Sequence, residues 1–172
     1  MKRYGSMFCF ILLMFYIQNN FFNEFSILKI TPNLLILSIM GFGLCWGKRA
    51  GLVAGLMAGL MMDMVYASNI GYYTLPYMYL GVMNGMFHRS YNYDNFIVPS
   101  ALTAGSDFLM GVYIFVFSFA LRNRLNFPFY LKNIIIPEAL CTVIFSLVLF
   151  RLQVILIEKV SVWDKERGQE ID

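Results

Sequence analysis

Six long apolar runs alternate with short polar segments along this chain. The runs cover residues 4–22, 30–46, 50–66, 70–87, 97–121 and 134–157, and each has between 17 and 25 residues. At about 1.5 Å per helical residue, runs of this length match the ~30 Å hydrocarbon core of a bilayer. The pattern therefore predicts an all-α integral membrane protein with six transmembrane helices.

The segments between the runs are too short to hold another domain. They cover residues 23–29, 47–49, 67–69, 88–96 and 122–133, and a polar tail follows at 163–172. Helices joined by such short loops pack as antiparallel neighbours. We therefore expect residues 1–172 to form a single transmembrane domain, one six-helix bundle with a short cytoplasmic tail.

The boundary between the third and fourth runs is the tightest in the chain. Only three residues separate the two runs, and Gly71 and Pro76 predict a sharp turn with a loosened helix start behind it. One kinked helix over residues 50–87 is the alternative, but it would be too long for a single ~30 Å crossing. Two helices are the better prediction.

Composition supports the membrane assignment and argues against one class of partner. Hydrophobic residues make up 59% of the chain and charged residues only 13%, about half the charged share of a typical soluble domain. The net charge of +3 is small, and the basic residues lie between the apolar runs instead of in one patch. This distribution argues against nucleic acid as a partner and indicates that the charges determine how the helices are oriented in the lipid bilayer.

Lysine and arginine counts in the loops predict the orientation, since positive residues are enriched on the cytoplasmic side. With the N-terminus inside, eight of these residues are cytoplasmic and four are external. The cytoplasmic set is Lys2, Arg3, Lys48, Arg49, Arg89, Lys159, Lys165 and Arg167, and the external set is Lys29, Arg122, Arg124 and Lys132. Both termini are therefore expected in the cytoplasm, although the last external loop holds three of the four external positive charges.

A glycine stripe marks the third predicted helix. Gly51, Gly55 and Gly59 form two overlapping GxxxG units, and Gly81 with Gly85 gives the fourth helix a weaker copy. Small residues at this spacing let helix backbones approach closely in lipid, where no hydrophobic effect drives helices together. The stripe predicts tight packing against another helix, more often within the chain than at a partner interface.

Four ionisable residues fall inside the predicted spans: Asp63, Asp107, Glu138 and Arg151. Such residues are costly in lipid, so each should face protein, water or the membrane surface. Asp63 and Asp107 could bind a proton or cation for transport, but hydrogen bonding within the bundle is the favoured interpretation. Glu138, next to Pro137, is placed at a helix start that favours a carboxylate, and Arg151 can extend its stem toward the headgroups.

Signals of enzymatic chemistry are missing from the sequence. His88 is the only histidine and lies beside Arg89, with no second residue to complete a metal site or a catalytic pair. No nucleophile-elbow, phosphate-loop or zinc-protease pattern is present. Cys9, Cys45 and Cys141 lie in apolar runs without pairing motifs and are interpreted as reduced small hydrophobes. The sequence predicts no enzyme, no cofactor and no metal.

Residues 31–85 contain a series of recognisable motifs. A Pro-Asn-Leu-Leu start is followed by a basic turn, a glycine-rich helix that ends in Gly-Leu-x-x-Asp, and a short glycine-containing turn. These motifs fall on Pro32, Asn33, Leu34, Leu35, Lys48, Arg49, Gly59, Leu60, Asp63 and Gly71. The series resembles the pattern of the rod shape-determining protein MreD family, which starts with Pro-Asp/Asn-Leu-Leu. Where the family often has small residues after the aspartate, this chain has Tyr66-Ala67-Ser68-Asn69.

The resemblance implies a function that composition alone could not show. It points to a non-enzymatic inner-membrane component of the cell-elongation machinery, which takes part in cell shape and in the regulation of peptidoglycan synthesis. MreC is the first expected partner. The actin-like MreB, RodA and a class B penicillin-binding transpeptidase are expected in the wider complex.

Small-molecule transport is the competing function. The MreD family is similar in fold to the six-helix S components of energy-coupling-factor vitamin transporters, so an S-component-like bundle is expected here. Those proteins typically dock through an Ala-x-x-x-Ala surface on their first helix, where this chain has only Gly5 and Cys9. The external loops are also mostly too short to close over a vitamin, and the scaffold interpretation is favoured.

Overall fold

The computed structural model describes residues 2–24, 31–67, 69–90, 97–118 and 127–169, and these residues are almost entirely helical and contain no β-strand. The elements are α1 (Lys2–Glu24), α2 (Leu34–Trp46), α3 (Lys48–Tyr66), α4 (Thr74–Met86), a 3₁₀ turn (Phe87–Ser90), α5 (Ile97–Ser118), α6 (Phe127–Tyr130), a π-helical segment (Leu131–Ile135) and α7 (Ile136–Gln169).

The helix that crosses Pro137 is longer than the sequence suggested. Because α6, the π-helical segment and α7 are continuous, the described residues contain six main helices, and the prediction of an all-α chain with six helices is confirmed for them. The last helix was expected over 134–157 but runs from Phe127 to Gln169. Residues 119–121 of the fifth run, parts of the loops at 23–29, 67–69, 88–96 and 122–133, and 170–172 of the tail lie outside the described residues.

The π-helical segment explains how the chain stays helical through Pro137. Proline has no backbone N–H to continue the hydrogen-bond ladder, and it ordinarily ends or kinks a helix. Here the turn just before it is widened, with the backbone N–H of Ile136 donating to the carbonyl of Leu131. A π turn of this kind inserts an extra residue without ending the helix.

Helix α2 forms the centre of the fold. Twelve of its 13 residues are buried, from Leu34 to Cys45, and α1, α3, α4, α5 and α7 all pack against it. A helix that is apolar on every side has no polar face to present to water, so its neighbours enclose it. At ~20 Å, α2 is shorter than the hydrocarbon core of a bilayer.

Three described helices are long and apolar enough to cross a membrane by length and composition. They cover Lys48–Tyr66, Ile97–Phe117 and Pro128–Lys159, whereas Leu34–Trp46 is apolar but shorter. Large apolar side chains on the outer faces point away from the protein, such as Leu140, which is 61% exposed, and Tyr79, which is 69% exposed. Water tolerates extensive surfaces of this kind poorly, while lipid solvates them.

Contacts at the helix ends show that the first three helices alternate in direction. Arg3, at the start of α1, donates from Nη2 to the carbonyl of Trp46 at the end of α2, at 3.4 Å. At the opposite end, the Tyr66 hydroxyl of α3 donates to Asn19 Oδ1 of α1 at 2.6 Å. We call the end of the bundle that contains Arg3 and Trp46 the Arg3 end. The opposite end, which contains Asn19 and Tyr66, is the Asp63 end.

Candidate functional site

All five glycines singled out in the sequence lie at the contact between α3 and α4. A methyl group on Gly51 would collide with the carbonyl oxygen of Gly81, and one on Gly81 would collide with the carbonyl oxygen of Gly51. A methyl group on Gly85 would lie 2.5 Å from Cα of Lys48. The two backbones are therefore in direct contact near the Arg3 end.

The same contact continues toward the Asp63 end. A methyl group on Gly55 would overlap the carbonyl oxygen of Tyr77, and one on Gly59 would overlap Cα of Thr74. In each case the obstacle is backbone, which cannot move aside as a flexible side chain can. These contacts favour the internal-packing interpretation of the stripe.

A third helix joins this contact at Gly43 of α2. A methyl group there would lie 3.0 Å from the carbonyl oxygen of Gly81 and 3.2 Å from the backbone nitrogen of Gly85. Ala54 and Ala58 of α3, also small, are completely buried in the core. Small residues thus let α2, α3 and α4 converge on one another at backbone distance.

Gly55→Leu should destabilise the protein strongly, because its side chain would collide with the α4 backbone. Overpacking of a well-packed core costs roughly 1–3 kcal/mol or more, and 3 kcal/mol in a chain of this size lowers Tm by on the order of 10 °C. The measurement is the thermal unfolding of the purified protein in detergent, together with its level in membranes.

Gly105→Leu is the matched control for this experiment. Gly105 lies in the middle of α5, it is exposed, and a methyl group there meets nothing within 4 Å. Its substitution should leave Tm nearly unchanged. If Gly55→Leu were as stable as Gly105→Leu, the α3–α4 backbone contact would not be a source of stability.

Asp63 holds the turn between α3 and α4. Its side chain is 2% exposed, and the carboxylate accepts hydrogen bonds from the backbone N–H groups of Gly71 and Tyr73, both at 2.7 Å, and of Thr74 at 3.2 Å. The Thr74 hydroxyl donates a fourth bond at 2.5 Å.

These bonds supply the N-terminal cap that α4 lacks. The first N–H groups of any helix have no partner within the helix, and Tyr73, the residue in the capping position, makes no side-chain cap bond. Asp63 reaches over from the preceding helix to accept the first of them, from Thr74, together with the N–H groups of Gly71 and Tyr73 just before the helix. Its negative charge also suits the positive end of the helix dipole. Gly71, with φ of +110°, takes the left-handed conformation that favours glycine.

Asp107 takes part in a buried network that joins three elements. It is 4% exposed and accepts a hydrogen bond at 3.1 Å from the hydroxyl of Thr142 on α7. The Thr142 hydroxyl oxygen in turn accepts the backbone N–H of Asn33, just before α2, at 3.1 Å. The network therefore joins α5 and α7 to the start of α2.

The start of α2 receives two further caps because it is buried inside the protein. The Leu35 N–H donates to Gln18 Oε1 of α1 at 3.2 Å, and the Ile36 N–H donates to Asn33 Oδ1 at 3.3 Å. Backbone donors shielded from water need such partners. Side chains from α1 and α7 and from the segment before α2 together supply them.

Glu138 and Arg151 differ from the two aspartates. Glu138 is half-buried, and within the part of the chain that the structure describes no hydrogen bond reaches its carboxylate. Since the helical segment begins at Phe127, 11 residues earlier, the preference of a helix start for a carboxylate does not apply to Glu138. Arg151 is exposed on α7, ~20 Å further along the helix.

A polar cavity opens at the Asp63 end, above the start of α2. It has a volume of about 280 Å³, and every main helix or the segment next to it contributes to its wall. The lining includes Gln18, Asn19, Asn33, Tyr66, Tyr77 and Glu138. A larger apolar groove of about 600 Å³ lies between α4 and α5. The described residues contain no group of three or more His, Cys, Asp or Glu side chains that could hold a metal ion.

Sequence reasoning identified Glu138 but missed the rest of this cavity. Gln18, Asn19 and Tyr66 lie near the ends of apolar runs, where polar and aromatic residues are common, whereas Tyr77 lies in the middle of its run. Their position at run ends was a usable signal, because helices of alternating direction bring such ends together. The sequence did not show which of these side chains turn inward.

Long apolar helices whose buried ends are capped by polar side chains are typical of a helical membrane protein. Comparison with known families identifies the family. A family model described as rod shape-determining protein MreD matches residues 2–160. This match covers most of the chain, so the chain belongs to the MreD family, and the resemblance seen over residues 31–85 is confirmed. It is a rod shape-determining protein and takes part in cell shape. Neither the curated proteins nor the solved structures include a match.

Substitutions at Asp63 should show a graded loss of stability. Asp63→Asn keeps the shape and one acceptor oxygen, but it turns an amide N–H₂ toward backbone donors and should cost about 1–2 kcal/mol. Asp63→Leu leaves all the donors unpaired in a buried site and should cost more, roughly 3 kcal/mol. Thermal unfolding in detergent and restoration of rod shape at matched membrane levels are the two measurements.

Thr74→Val serves as the partner control, because it removes only the hydroxyl bond and should cost about 1 kcal/mol. If the charge of Asp63 instead carried a cation or proton, Asn and Leu would abolish function equally while Thr74→Val would not. That result would contradict the capping role.

Proposed function

We propose that this protein is a non-enzymatic scaffold of the cell-elongation machinery in the bacterial inner membrane. It binds MreC and, through the assembled complex, associates with MreB, RodA and a class B penicillin-binding transpeptidase, so that peptidoglycan synthesis follows the rod shape. The family match over residues 2–160 carries this proposal.

The packing of the bundle is consistent with a scaffold. The α3–α4 contact is backbone on backbone, and four hydrogen bonds to Asp63 fix the turn that joins the two helices. A rigid pair of this kind presents its outer apolar side chains in a defined arrangement to lipid and to partner helices. Gly51, Gly55, Gly59, Gly81 and Gly85 serve this internal rigidity and not a partner interface.

The arrangement in the membrane that we propose has six spans in one S-component-like domain, residues 1–172, with both termini in the cytoplasm. Arg3 and Trp46 meet at one end of the bundle, and the ring of His88 lies 2.6 Å from the carbonyl of Leu44 at the same end. Lys48 lies two residues after Trp46, and Arg89 directly follows His88. Positive charge is therefore concentrated at the Arg3 end. We assign the Arg3 end to the cytoplasm and the Asp63 end to the outside.

Solute transport is the second candidate, and the cavity at the Asp63 end is the observation that favours it. A transporter component needs a site of this type that opens to one side of the membrane. The family match favours the scaffold. Loss of rod shape without loss of uptake of any solute on deletion would support the scaffold, and the reverse would support transport.

Reporter fusions test the proposed topology. A reporter after Asp172 or near Asn92 should report a cytoplasmic location, and one near Asn126 should report an external location, because six crossings separate the two termini and five precede Asn126. An enzyme active only outside the cytoplasm, paired with one active only inside, provides the readout. A cytoplasmic signal from the Asn126 fusion would show that the count of spans is wrong by one.

Co-purification tests the partner. The tagged full-length protein, extracted from cells in mild detergent, should retain MreC, and so should Gly105→Leu, whose substitution is exposed and unopposed. Depletion of the protein should turn rod-shaped cells round, and either form should restore the rod. Restoration of shape without MreC on the protein would rule out MreC as the direct partner.

A further inference from the structure

The cavity at the Asp63 end carries negative charge and no positive charge among the described residues that line it. Among the described residues that line it, Glu138 carries the only charge. Three tyrosines, Tyr66, Tyr73 and Tyr77, share the wall with that carboxylate. A single negative charge among aromatic rings creates a local environment that attracts a cation.

Hydrogen bonds within the protein fix what the tyrosine hydroxyl groups can offer to a ligand. The Tyr66 hydroxyl donates its hydrogen to Asn19 Oδ1 at 2.6 Å, and the Tyr77 hydroxyl donates to Asn33 Oδ1 at 3.4 Å. A phenol has one hydrogen to donate, so the two oxygens can only accept a further bond. The hydroxyl oxygens of Tyr66 and Tyr77 can therefore accept a hydrogen bond from a donor group on a ligand.

The amide of Asn33 is already committed as well. Its oxygen accepts from the Ile36 N–H at 3.3 Å and from the Tyr77 hydroxyl at 3.4 Å. Asn33 thus completes the α2 cap with its side-chain oxygen. On the side formed by α4 and α7, the Tyr77 hydroxyl oxygen and the Glu138 carboxylate offer acceptors to the cavity.

Glu138 is the polar group that the structural networks leave unused. Asp63 is satisfied by the α4 start and Asp107 by Thr142, but within the described residues no hydrogen bond reaches the Glu138 carboxylate. The Thr142 hydroxyl lies 2.9 Å from the backbone carbonyl of Glu138 and not at its carboxylate. A half-buried carboxylate within a membrane bundle is costly unless a counter-charge or a proton neutralises it.

We propose that this cavity binds a small organic cation, an alkylammonium compound, with Glu138 as its counter-ion and the phenol oxygens of Tyr66 and Tyr77 as acceptors for its N–H groups. The volume of about 280 Å³ lies at the lower limit of small-molecule pockets, which run from ~300 to 1,000 Å³. It therefore suits a short amine better than a vitamin or a nucleotide. This site goes beyond the scaffold function and does not depend on it.

The test uses the full-length protein in detergent micelles and n-butylammonium as the probe. Ligand-observed NMR saturation transfer should detect saturable binding of n-butylammonium, with much weaker signals for the isosteric 1-butanol and for butyrate. Glu138→Gln keeps the shape of the side chain and removes its charge, so affinity should fall at least tenfold. Glu158→Gln, on the exposed surface of the same helix, is the control and should bind as the wild type does.

A second variant separates the cavity from the charge. Thr31 is half-buried on the cavity wall, and Thr31→Trp should block the probe while Glu138 stays in place. Thermal unfolding of each variant confirms that it is folded. The proposal is overturned if the wild type shows no saturable binding, if butyrate binds as well as the amine, or if both cavity variants bind like Glu158→Gln. Binding of a lysine-containing peptide without binding of the free amine would also overturn the small-molecule assignment.

Discussion

The direct contact between the α3 and α4 backbones is the constraint on which the rest of the fold depends. Gly51 and Gly81 each occupy the space that a methyl group on the other would need. In lipid, dispersion and close packing must replace the hydrophobic effect as the force that joins helices, and glycines let the helix backbones approach most closely. Because Gly43 approaches the same point, the position of the central helix α2 follows from the α3–α4 contact.

Buried polar side chains satisfy the backbone N–H groups that this close packing shields from water. The close pair leaves a tight turn with unpaired donors, and Asp63 accepts them. The short helix α2 begins inside the bundle, and Gln18, Asn33 and Thr142 accept its N–H groups or those beside it. The same physical need, to pair backbone donors where water is excluded, explains both sets of buried polar residues.

The sequence predicted the helices for identifiable physical reasons, and the glycine stripe that it singled out lies at the α3–α4 contact. Apolar runs of span length mark helices because lipid requires them, and the GxxxG spacing of Gly51, Gly55 and Gly59 is typical of helices whose backbones touch. The longer last helix could not be predicted, because Pro137 ordinarily signals a helix start and only the π-helical segment before it permits continuation. The cavity was equally hidden, since its wall is drawn from six separate stretches of chain.

Two hydrogen-bond partners of the α2 region lie on α7 and are therefore synthesised much later than α2 itself. The Asn33 N–H bonds to Thr142, and the carbonyl of Ser38 accepts from Gln153, across sequence separations of 109 and 115 residues. A ribosome therefore finishes and releases α2 into the insertion machinery long before α7 exists to pair with it. During that interval the short central helix packs only against α1, α3, α4 and α5. In chains that stop before α7, the Asn33 N–H and the Ser38 carbonyl therefore lack these two partners.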